Sequence, residues 1–272
     1  TFEYELTSVQ KKVIRTINND LKSNKRMFRL LQGDVGSGKT ILALIAASNV
    51  IESGYQVALM APTEILAKQH YDITKKLFYS INIKIALLTS KTSPSDKKKI
   101  FSDLNNGLIK FIIGTHSLFQ KKINFAKLGF IIIDEQHKFG VKQRIALANK
   151  GGNNSDLLSM SATPIPRTMM LSHFGDMDIS VLNEKPKNRK DIITLIKPEN
   201  KIYELWPLIK KQISLNKQIF WVCPLIDESK KLDFSSAKIK FKNIEKKFPN
   251  QVGLIYGGMS IDEKNNILKK FL

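Results

Sequence analysis

A glycine-rich segment, GDVGSGKT, constrains the fold of this chain more than any other part of its sequence. It fits the pattern G-x-x-x-x-G-K-[S/T] without a mismatch, with the strand-like run Met27–Gln32 before it and a helix-like run after it. In that context the backbone N–H groups of the loop surround a phosphate, while Lys39 adds a positive charge and Thr40 offers a hydroxyl to Mg²⁺. The predicted nucleotide-binding residues are Gly33, Asp34, Val35, Gly36, Ser37, Gly38, Lys39 and Thr40.

Composition narrows the class of protein. The formal net charge is +20, from 44 basic and 24 acidic residues, which favours a polyanionic partner such as nucleic acid. The alternative is a merely solvated surface, since an AT-rich genome inflates lysine, asparagine and isoleucine together. A single cysteine, Cys223, excludes an internal disulfide and indicates a reducing, cytoplasmic setting. No apolar run approaches the length of a membrane span, so a membrane protein is not expected.

The order of apolar and amphipathic runs predicts a parallel sheet. Thr7 and Gln10 fit a capping box at the start of a helix that continues to about Lys22. Continuous apolar runs then alternate with helical segments, which is typical of parallel strands covered on both faces. The predicted strands are Gln56–Met60, Ile83–Leu88, Ile109–Ile113, Phe130–Ile133 and Leu157–Met160, and the predicted helices are Glu64–Phe78, Ser95–Asn105 and Pro166–His173.

A polar, proline-containing stretch around residues 183–191 is typical of a linker. The alternation of strands and helices restarts after it and ends at Leu272, which predicts a second, incomplete α/β domain. The domain boundaries are therefore predicted at 1–184, 185–194 for the linker, and 195–272. Strands are expected at Ile192–Ile196, Gln218–Cys223 and Val252–Tyr256, and helices through Leu208, near Ser236–Lys247 and at Ile261–Phe271.

Two acidic residues supply the second chemical signal. Asp134 and Glu135 follow the apolar run Phe130–Ile133 and so lie at the carboxyl end of a buried strand, where ligands of open α/β sheets bind. Asp134 is a candidate ligand of the nucleotide's Mg²⁺, and Glu135 is placed to orient or deprotonate a water molecule. A solvated turn is the alternative, but the phosphate loop upstream favours the functional interpretation.

Several other loops follow predicted strands. Thr63 and Thr115 could contact nucleic-acid phosphates, although helix capping explains them equally well. Ser161 and Thr163 could sense a phosphate, and an ordinary turn is again the alternative. The histidines show no metal-ligand spacing, and isolated polar or capping roles are expected for His70 and His173.

Taken in order, these loops resemble the motor of superfamily 2 helicases, which include the DEAD/DEAH-like proteins. The similarity is closest to the RecG family of ATP-dependent DNA helicases, on the segments RLLQGDVGSGKT, DEQHKFGVKQR, ATPIPRT, GDMDIS and WVCPLIDESKKLD. The resemblance implies two RecA-like domains that use ATP and Mg²⁺. It implies a monomeric, cytoplasmic enzyme acting on branched DNA, both double- and single-stranded, in recombination and repair.

The same resemblance implies roles for individual residues. Gln10 would read the adenine, and Lys39, Asp134, Glu135, Gln136 and His137 would serve hydrolysis and its coupling to DNA. Thr40 and Asp134 would hold Mg²⁺, and Ser161 and Thr163 would link hydrolysis to domain movement. The residues on the DNA-facing side would be Thr63, Thr115 and Arg167.

One departure leaves two alternatives open. Residues 195–272 contain no arginine, whereas related nucleotide hydrolases use an arginine finger. We therefore expect a fragment that binds ATP but turns it over poorly in response to DNA. The alternatives are an uncoupled ATP- and DNA-binding remnant, and the motor of a transcription-repair coupling translocase.

Overall fold

The computed structural model describes residues 5–79, 82–120, 122–135, 155–163, 177–184, 192–223 and 230–271. The chain divides into two compact units, residues 1–190 and 191–272. The first unit contains a seven-stranded sheet, and every strand pair in it is parallel. None of the helices among these residues is both long enough and apolar enough to cross a bilayer.

The first helix confirms the capping-box prediction. Helix α1 spans Ser8–Lys22, and the Thr7 hydroxyl accepts a hydrogen bond from the Gln10 backbone N–H while the Gln10 side chain accepts one from the Thr7 N–H. These reciprocal bonds satisfy two N–H groups that a helix start otherwise leaves without partners. The start of α1 is thereby fixed by local chemistry.

The remaining elements of the first unit follow the predicted alternation. Six of the seven strands coincide with predicted runs to within two residues at each end, and β7 was not predicted. The strands are β1 (Phe28–Gly33), β2 (Gln56–Met60), β3 (Lys84–Leu88), β4 (Ile109–Gly114), β5 (Leu128–Ile133), β6 (Asp156–Ser161) and β7 (Asp178–Leu182), and the helices are α2 (Lys39–Glu52), α3 (Glu64–Leu77) and α4 (Pro94–Asn105). The predicted helix Pro166–His173 lies outside the described residues.

Apolar side chains cover both faces of this sheet. Successive strand residues alternate between two buried clusters, so that Leu31 and Ile132 lie in one and Leu30 and Ile131 in the other. Helices α1, α2 and α3 contribute to the first cluster, and α4 contributes Leu104 to the second. Burial on both faces explains why the strand sequences are continuously apolar rather than alternating with polar residues.

The strand order is β3-β4-β2-β5-β6-β1-β7. Strand β6 therefore lies between β1 and β5, although it comes last of the three in sequence. Because all the strands are parallel, their carboxyl ends meet at one edge of the sheet. The loops after β1, β5 and β6 are consequently neighbours at that edge.

The second unit corrects part of the prediction. Its helices are α5 (Leu205–Ser214), α6 (Lys230–Glu245) and α7 (Ile261–Phe271), preceded by a 3₁₀ turn at Glu199–Glu204. The predicted strands Ile192–Ile196, Gln218–Cys223 and Val252–Tyr256 are wrong, because residues 192–198, 217–223 and 252–256 form no strand ladder. An apolar run reports side-chain hydrophobicity, whereas a strand also needs backbone hydrogen bonds to a neighbour.

Aromatic contacts hold the described part of the second unit together. The rings of Trp206 and Trp221 stack with centroids 5.5 Å apart and planes 12° from parallel. Phe248 packs against Trp206 at 6.2 Å, and Phe220 packs against Phe271 at 4.8 Å. Both tryptophans therefore serve as packing residues in this unit.

Candidate nucleotide-binding site

The phosphate loop takes its shape from two glycines with left-handed backbone. Gly36 has φ +80° and Gly38 has φ +91°, a region that other residues rarely adopt. A third glycine, Gly33, is required by space, because a Cβ there would lie 2.6 Å from the Ser37 Oγ and 2.8 Å from the Leu182 Cβ. The glycines of the motif therefore make the turn possible.

The start of helix α2 fits an anion. Gly38 is the N-cap residue and offers no side-chain acceptor, so no side chain caps the first N–H groups of α2. Such N–H groups and the helix dipole together attract negative charge. The loop that precedes them is held closed by a hydrogen bond from the Ser37 N–H to the Asp34 carbonyl at 3.1 Å. The residues therefore fit the triphosphate that the sequence pattern predicts.

Lys39 lies inside this loop and is buried. Its ammonium group donates to the Gly33 carbonyl at 2.6 Å and to the Asp34 carbonyl at 2.9 Å. Burial lowers the pKa of Lys39 below its usual range, and the carboxylates of Glu135, Asp134 and Asp34 oppose that shift. A buried ammonium with acidic neighbours nearby is well placed to meet an anionic ligand together with its cation.

Gln10 joins helix α1 to the phosphate loop. Its Nε2 donates to the Ser37 carbonyl at 2.8 Å, while its Oε1 accepts from the Thr7 N–H at 2.9 Å. Each group of an amide can make a second hydrogen bond, so both remain chemically able to meet an adenine edge. The structure thus shows Gln10 as a support of the loop, a role that the sequence interpretation did not include.

The acidic pair lies at the carboxyl end of β5. Asp134 is 9% exposed, and its N–H donates to the Met60 carbonyl of the neighbouring strand at 2.8 Å. Glu135 follows with φ +48°, a left-handed conformation that costs about 1–3 kcal/mol in a non-glycine residue. Its N–H donates to the Asp134 Oδ1 at 3.0 Å. The strain is local to the two carboxylates that the sequence singled out.

Sequence reasoning missed a contact to this pair. The His70 Nε2 lies 2.8 Å from the Asp134 Oδ2, and both side chains are buried. We expected an isolated polar or capping role for His70. Periodicity could have indicated that His70 is buried, because it shares one face of α3 with Ala67 and Thr74, but it does not indicate which residue the ring contacts.

The loop after β6 folds onto itself. The Ser161 Oγ accepts a hydrogen bond from the Thr163 N–H at 3.2 Å and lies 3.1 Å from the Thr163 hydroxyl. Since β6 lies between β1 and β5, this small hydrogen-bonded turn belongs to the same sheet edge as the phosphate loop and the acidic pair. The topology brings these three predicted groups to adjacent strand ends.

The two threonines predicted to face DNA differ in access. Thr63 is the N-cap of α3, and its hydroxyl accepts from the Leu66 N–H at 3.3 Å. Thr115 is only 2% exposed, and its hydroxyl is buried with no partner among the described residues. Its side chain is therefore not at the surface of this structure. Gln136, His137 and Arg167 lie outside the described residues.

A known protein family matches most of the first unit of this chain. The sequence profile described as DEAD/DEAH box helicase matches residues 7–171, more than half of the chain. The chain therefore belongs to the DEAD/DEAH box helicase family. The RecA-like α/β fold of its first unit, with the phosphate loop after β1 and the acidic pair after β5, agrees with the first of the two domains that the resemblance implied.

Within that family, the chain is similar to RecG helicases. It is 47% identical over 270 residues to the ATP-dependent DNA helicase RecG of Thermotoga maritima and 43% identical over 270 residues to that of Bacillus subtilis. These alignments cover 98% of this chain but 34% and 39% of the two relatives. A structure of RecG bound to a three-way DNA junction matches with a TM-score of 0.79 and 42% identity, covering 99% of this chain and 35% of that one.

Proposed function

We propose that this chain is the ATP-using part of a DNA helicase that acts on branched DNA in recombination and repair. The observation that carries this proposal is the meeting of three groups at one sheet edge. They are the phosphate loop after β1, the acidic pair after β5 and the Ser161–Thr163 turn after β6. Phosphoryl transfer needs positioning and electrostatic stabilisation more than covalent chemistry, and these groups can supply both.

The proposed roles follow from the chemistry of each group. The backbone of Gly33–Thr40 holds the triphosphate, and the Lys39 ammonium moves from its loop carbonyls to the phosphate oxygens. The Thr40 hydroxyl and the Asp134 carboxylate would hold Mg²⁺, which prefers oxygen ligands. When bound, Mg²⁺ neutralises the charge that develops on the phosphates. The Glu135 carboxylate orients the attacking water and accepts its proton.

Three further roles extend the proposal around the phosphates. Gln10 reads the adenine with the second hydrogen-bonding capacity of its amide. Ser161 and Thr163 link hydrolysis at the phosphates to movement of the domains. The coupling roles of Gln136 and His137 are proposed from the resemblance alone.

DNA is the proposed partner of this basic chain. The net charge of +20 favours a polyanion, and the similar RecG structure was solved on a three-way DNA junction. Thr63, at the exposed start of α3, and Arg167 are the proposed contacts, and Thr115 would have to become accessible. The chain spans only about a third of its RecG relatives. Preference for branched DNA is therefore part of the proposal.

We also propose a monomer in the cytoplasm. The single Cys223 supports a reducing compartment, because it cannot form an internal disulfide.

An uncoupled nucleotide- and DNA-binding protein is the second candidate function. One observation favours it: residues 192–223 and 230–271, the described part of the second unit, form no sheet. In this alternative the chain binds ATP and DNA without accelerating hydrolysis when DNA is present. The two candidates share the nucleotide site and differ only in coupling.

Measuring the ATP turnover of the purified chain would separate these candidates. The rate would be compared without DNA, with linear duplex and with a three-way junction, using Glu135→Gln as the matched inactive control. A junction-stimulated rate that Glu135→Gln abolishes supports the helicase motor. A chain that binds ATP and junction DNA but shows no stimulation supports the uncoupled alternative.

A further inference from the structure

A buried histidine, His70, contacts the first residue of the acidic pair, Asp134. His70 is 6% exposed, and its Nε2 lies 2.8 Å from the Asp134 Oδ2. Because an ionised carboxylate oxygen only accepts hydrogen bonds, the His70 Nε2 is the donor. Its other ring nitrogen, Nδ1, is buried and has no partner among the described residues. Among the described residues, the carboxylate of Asp134 is therefore the hydrogen-bond partner of the His70 ring.

Both oxygens of Asp134 are held in place. Oδ2 accepts from His70, and Oδ1 accepts from the Glu135 N–H at 3.0 Å. A carboxylate held from two directions cannot rotate freely about its χ2 torsion, and each of its oxygens keeps a further lone pair. The backbone of Asp134 is fixed as well, through the hydrogen bond to the Met60 carbonyl. The arrangement determines the direction in which the remaining lone pairs point.

His70 itself is unsuited to bind the ion. Mg²⁺ takes oxygen ligands and keeps much of its water shell, and the His70 nitrogen that faces the site is engaged by Asp134. Groups that hydrogen-bond to a metal ligand orient that ligand, and their loss typically lowers metal affinity or activity about 10–100-fold. The contribution of His70 therefore passes through Asp134.

We propose that His70 is a positioning residue, which holds the Asp134 carboxylate in the orientation that receives the magnesium ion of the nucleotide. This proposal rests on the proposed function, because it assumes that Asp134 is a magnesium ligand. Helix α3 places His70 beside Asp134. Ala67, His70 and Thr74 form its buried face, and the Thr74 hydroxyl donates to the His70 carbonyl at 2.6 Å.

A magnesium titration of nucleotide binding tests the proposal without relying on turnover. The affinity of the purified chain for a fluorescent ATP analogue would be measured across Mg²⁺ concentrations and in EDTA. His70→Phe keeps a ring of similar size but removes the donor, and His70→Gln keeps an N–H donor at similar reach. Thr74→Val is the matched control, because it alters the same buried face of α3 without touching Asp134.

We expect the substitution to change how nucleotide affinity depends on Mg²⁺ concentration, and not the affinity measured without Mg²⁺. His70→Phe should raise the Mg²⁺ concentration for half-maximal tightening about 10-fold, while His70→Gln and Thr74→Val stay within about three-fold of the parent chain. Affinity in EDTA should be the same for all four proteins. In an Asp134→Asn background, His70→Phe should cause no further shift, because its effect passes through that carboxylate.

Several results would overturn the proposal. They are an unchanged magnesium dependence in His70→Phe, an equal shift in Thr74→Val, or a His70→Gln protein as weak as His70→Phe. If thermal unfolding shows that His70→Phe does not fold, His70→Leu takes its place under the same criteria. Nucleotide binding by the parent chain that does not respond to Mg²⁺ would instead refute the proposed metal site, and this inference with it.

Discussion

The two units of this chain contain similar apolar runs but use them differently. In the first unit, Ile132 lies in the central part of a seven-stranded sheet and is fully buried. In the second unit, Ile196 belongs to a run of the same character and is 97% exposed. Every residue of the candidate nucleotide-binding site lies in the first unit. The comparison indicates that apolar sequence alone does not create a sheet edge that can hold a ligand.

The physical difference is pairing. Strand β5 has β2 on one side and β6 on the other, and packed helices cover the sheet, so its backbone and side chains are both satisfied. Residues 217–223 and 252–256 have no ladder among the described residues. Several large side chains there remain exposed, namely Phe220, Val222, Ile255 and Tyr256. Such side chains contribute little to stability until another surface covers them.

The largest expected effect compares one substitution in the two units. Ile132→Ala should lower the free energy of unfolding by about 2–5 kcal/mol, because it opens a cavity in a closed core. Ile196→Ala should change it by about 0.5 kcal/mol or less, as is usual at exposed positions. Urea denaturation followed by circular dichroism measures both. Equal losses in the two variants would show that the comparison between the units is wrong.

A smaller effect concerns the phosphate loop. Gly38→Ala and Gly36→Ala each place a side chain on left-handed backbone, which costs about 1–2 kcal/mol. Gly38→Ala should cost about 1 kcal/mol more, because its Cβ would lie 2.5 Å from the Gln10 Nε2 and disturb the bond to Ser37. The Cβ at Gly36 meets nothing within 4 Å. Urea denaturation of both variants measures the difference.

Removing Gln10 provides the control for this prediction. In a Gln10→Ala background the two glycine variants should become equally stable, because the contact that separates them is gone. A difference that survives in that background would mean that Gln10 does not support the loop.

The smallest effect concerns the second unit. The chain has two tryptophans, and both lie there. Trp206→Leu should remove a stacked pair, which contributes about 0.5–1.5 kcal/mol beyond buried area, and should leave ATP affinity unchanged. In this variant the tryptophan fluorescence comes from Trp221 alone. Unfolding of the second unit can therefore be followed by fluorescence, and the loss of stability is the difference from the parent chain. An unchanged curve would mean that the stack does not stabilise this unit.

Much of the first unit could be predicted from the sequence because its signals are local. The Thr7–Gln10 capping box fixes where α1 begins, and the burial of β2 on both faces makes Val57–Met60 one continuous apolar run. The short edge strand β7 was missed, since its exposed residues break that pattern; Ile179 and Val181 are 38% and 50% exposed. Local pattern does not reveal which strands become neighbours.

The candidate site likewise contains residues that the local sequence pattern predicts and a contact that it does not predict. Gly33–Thr40 and the acidic pair carry sequence patterns, so their placement at strand ends was predictable. The contact between His70 and Asp134 joins residues 64 positions apart and depends on where the packing of α3 on the sheet places its buried face. No spacing rule predicts it. In the second unit the strand predictions were wrong because the apolar runs have the local pattern of strands but form no ladder with a neighbouring strand.

Nucleotide binding by the first unit is the central claim, and calorimetric titration of ATP with Mg²⁺ into the purified chain tests it most directly. The parent chain should bind ATP, and Lys39→Ala should bind it at least about ten-fold more weakly, because hydrogen bonds to charged groups contribute about 1.5–3 kcal/mol. Both proteins should unfold cooperatively, which excludes misfolding as the cause. Equal ATP affinity in the parent chain and in a folded Lys39→Ala protein would contradict the account.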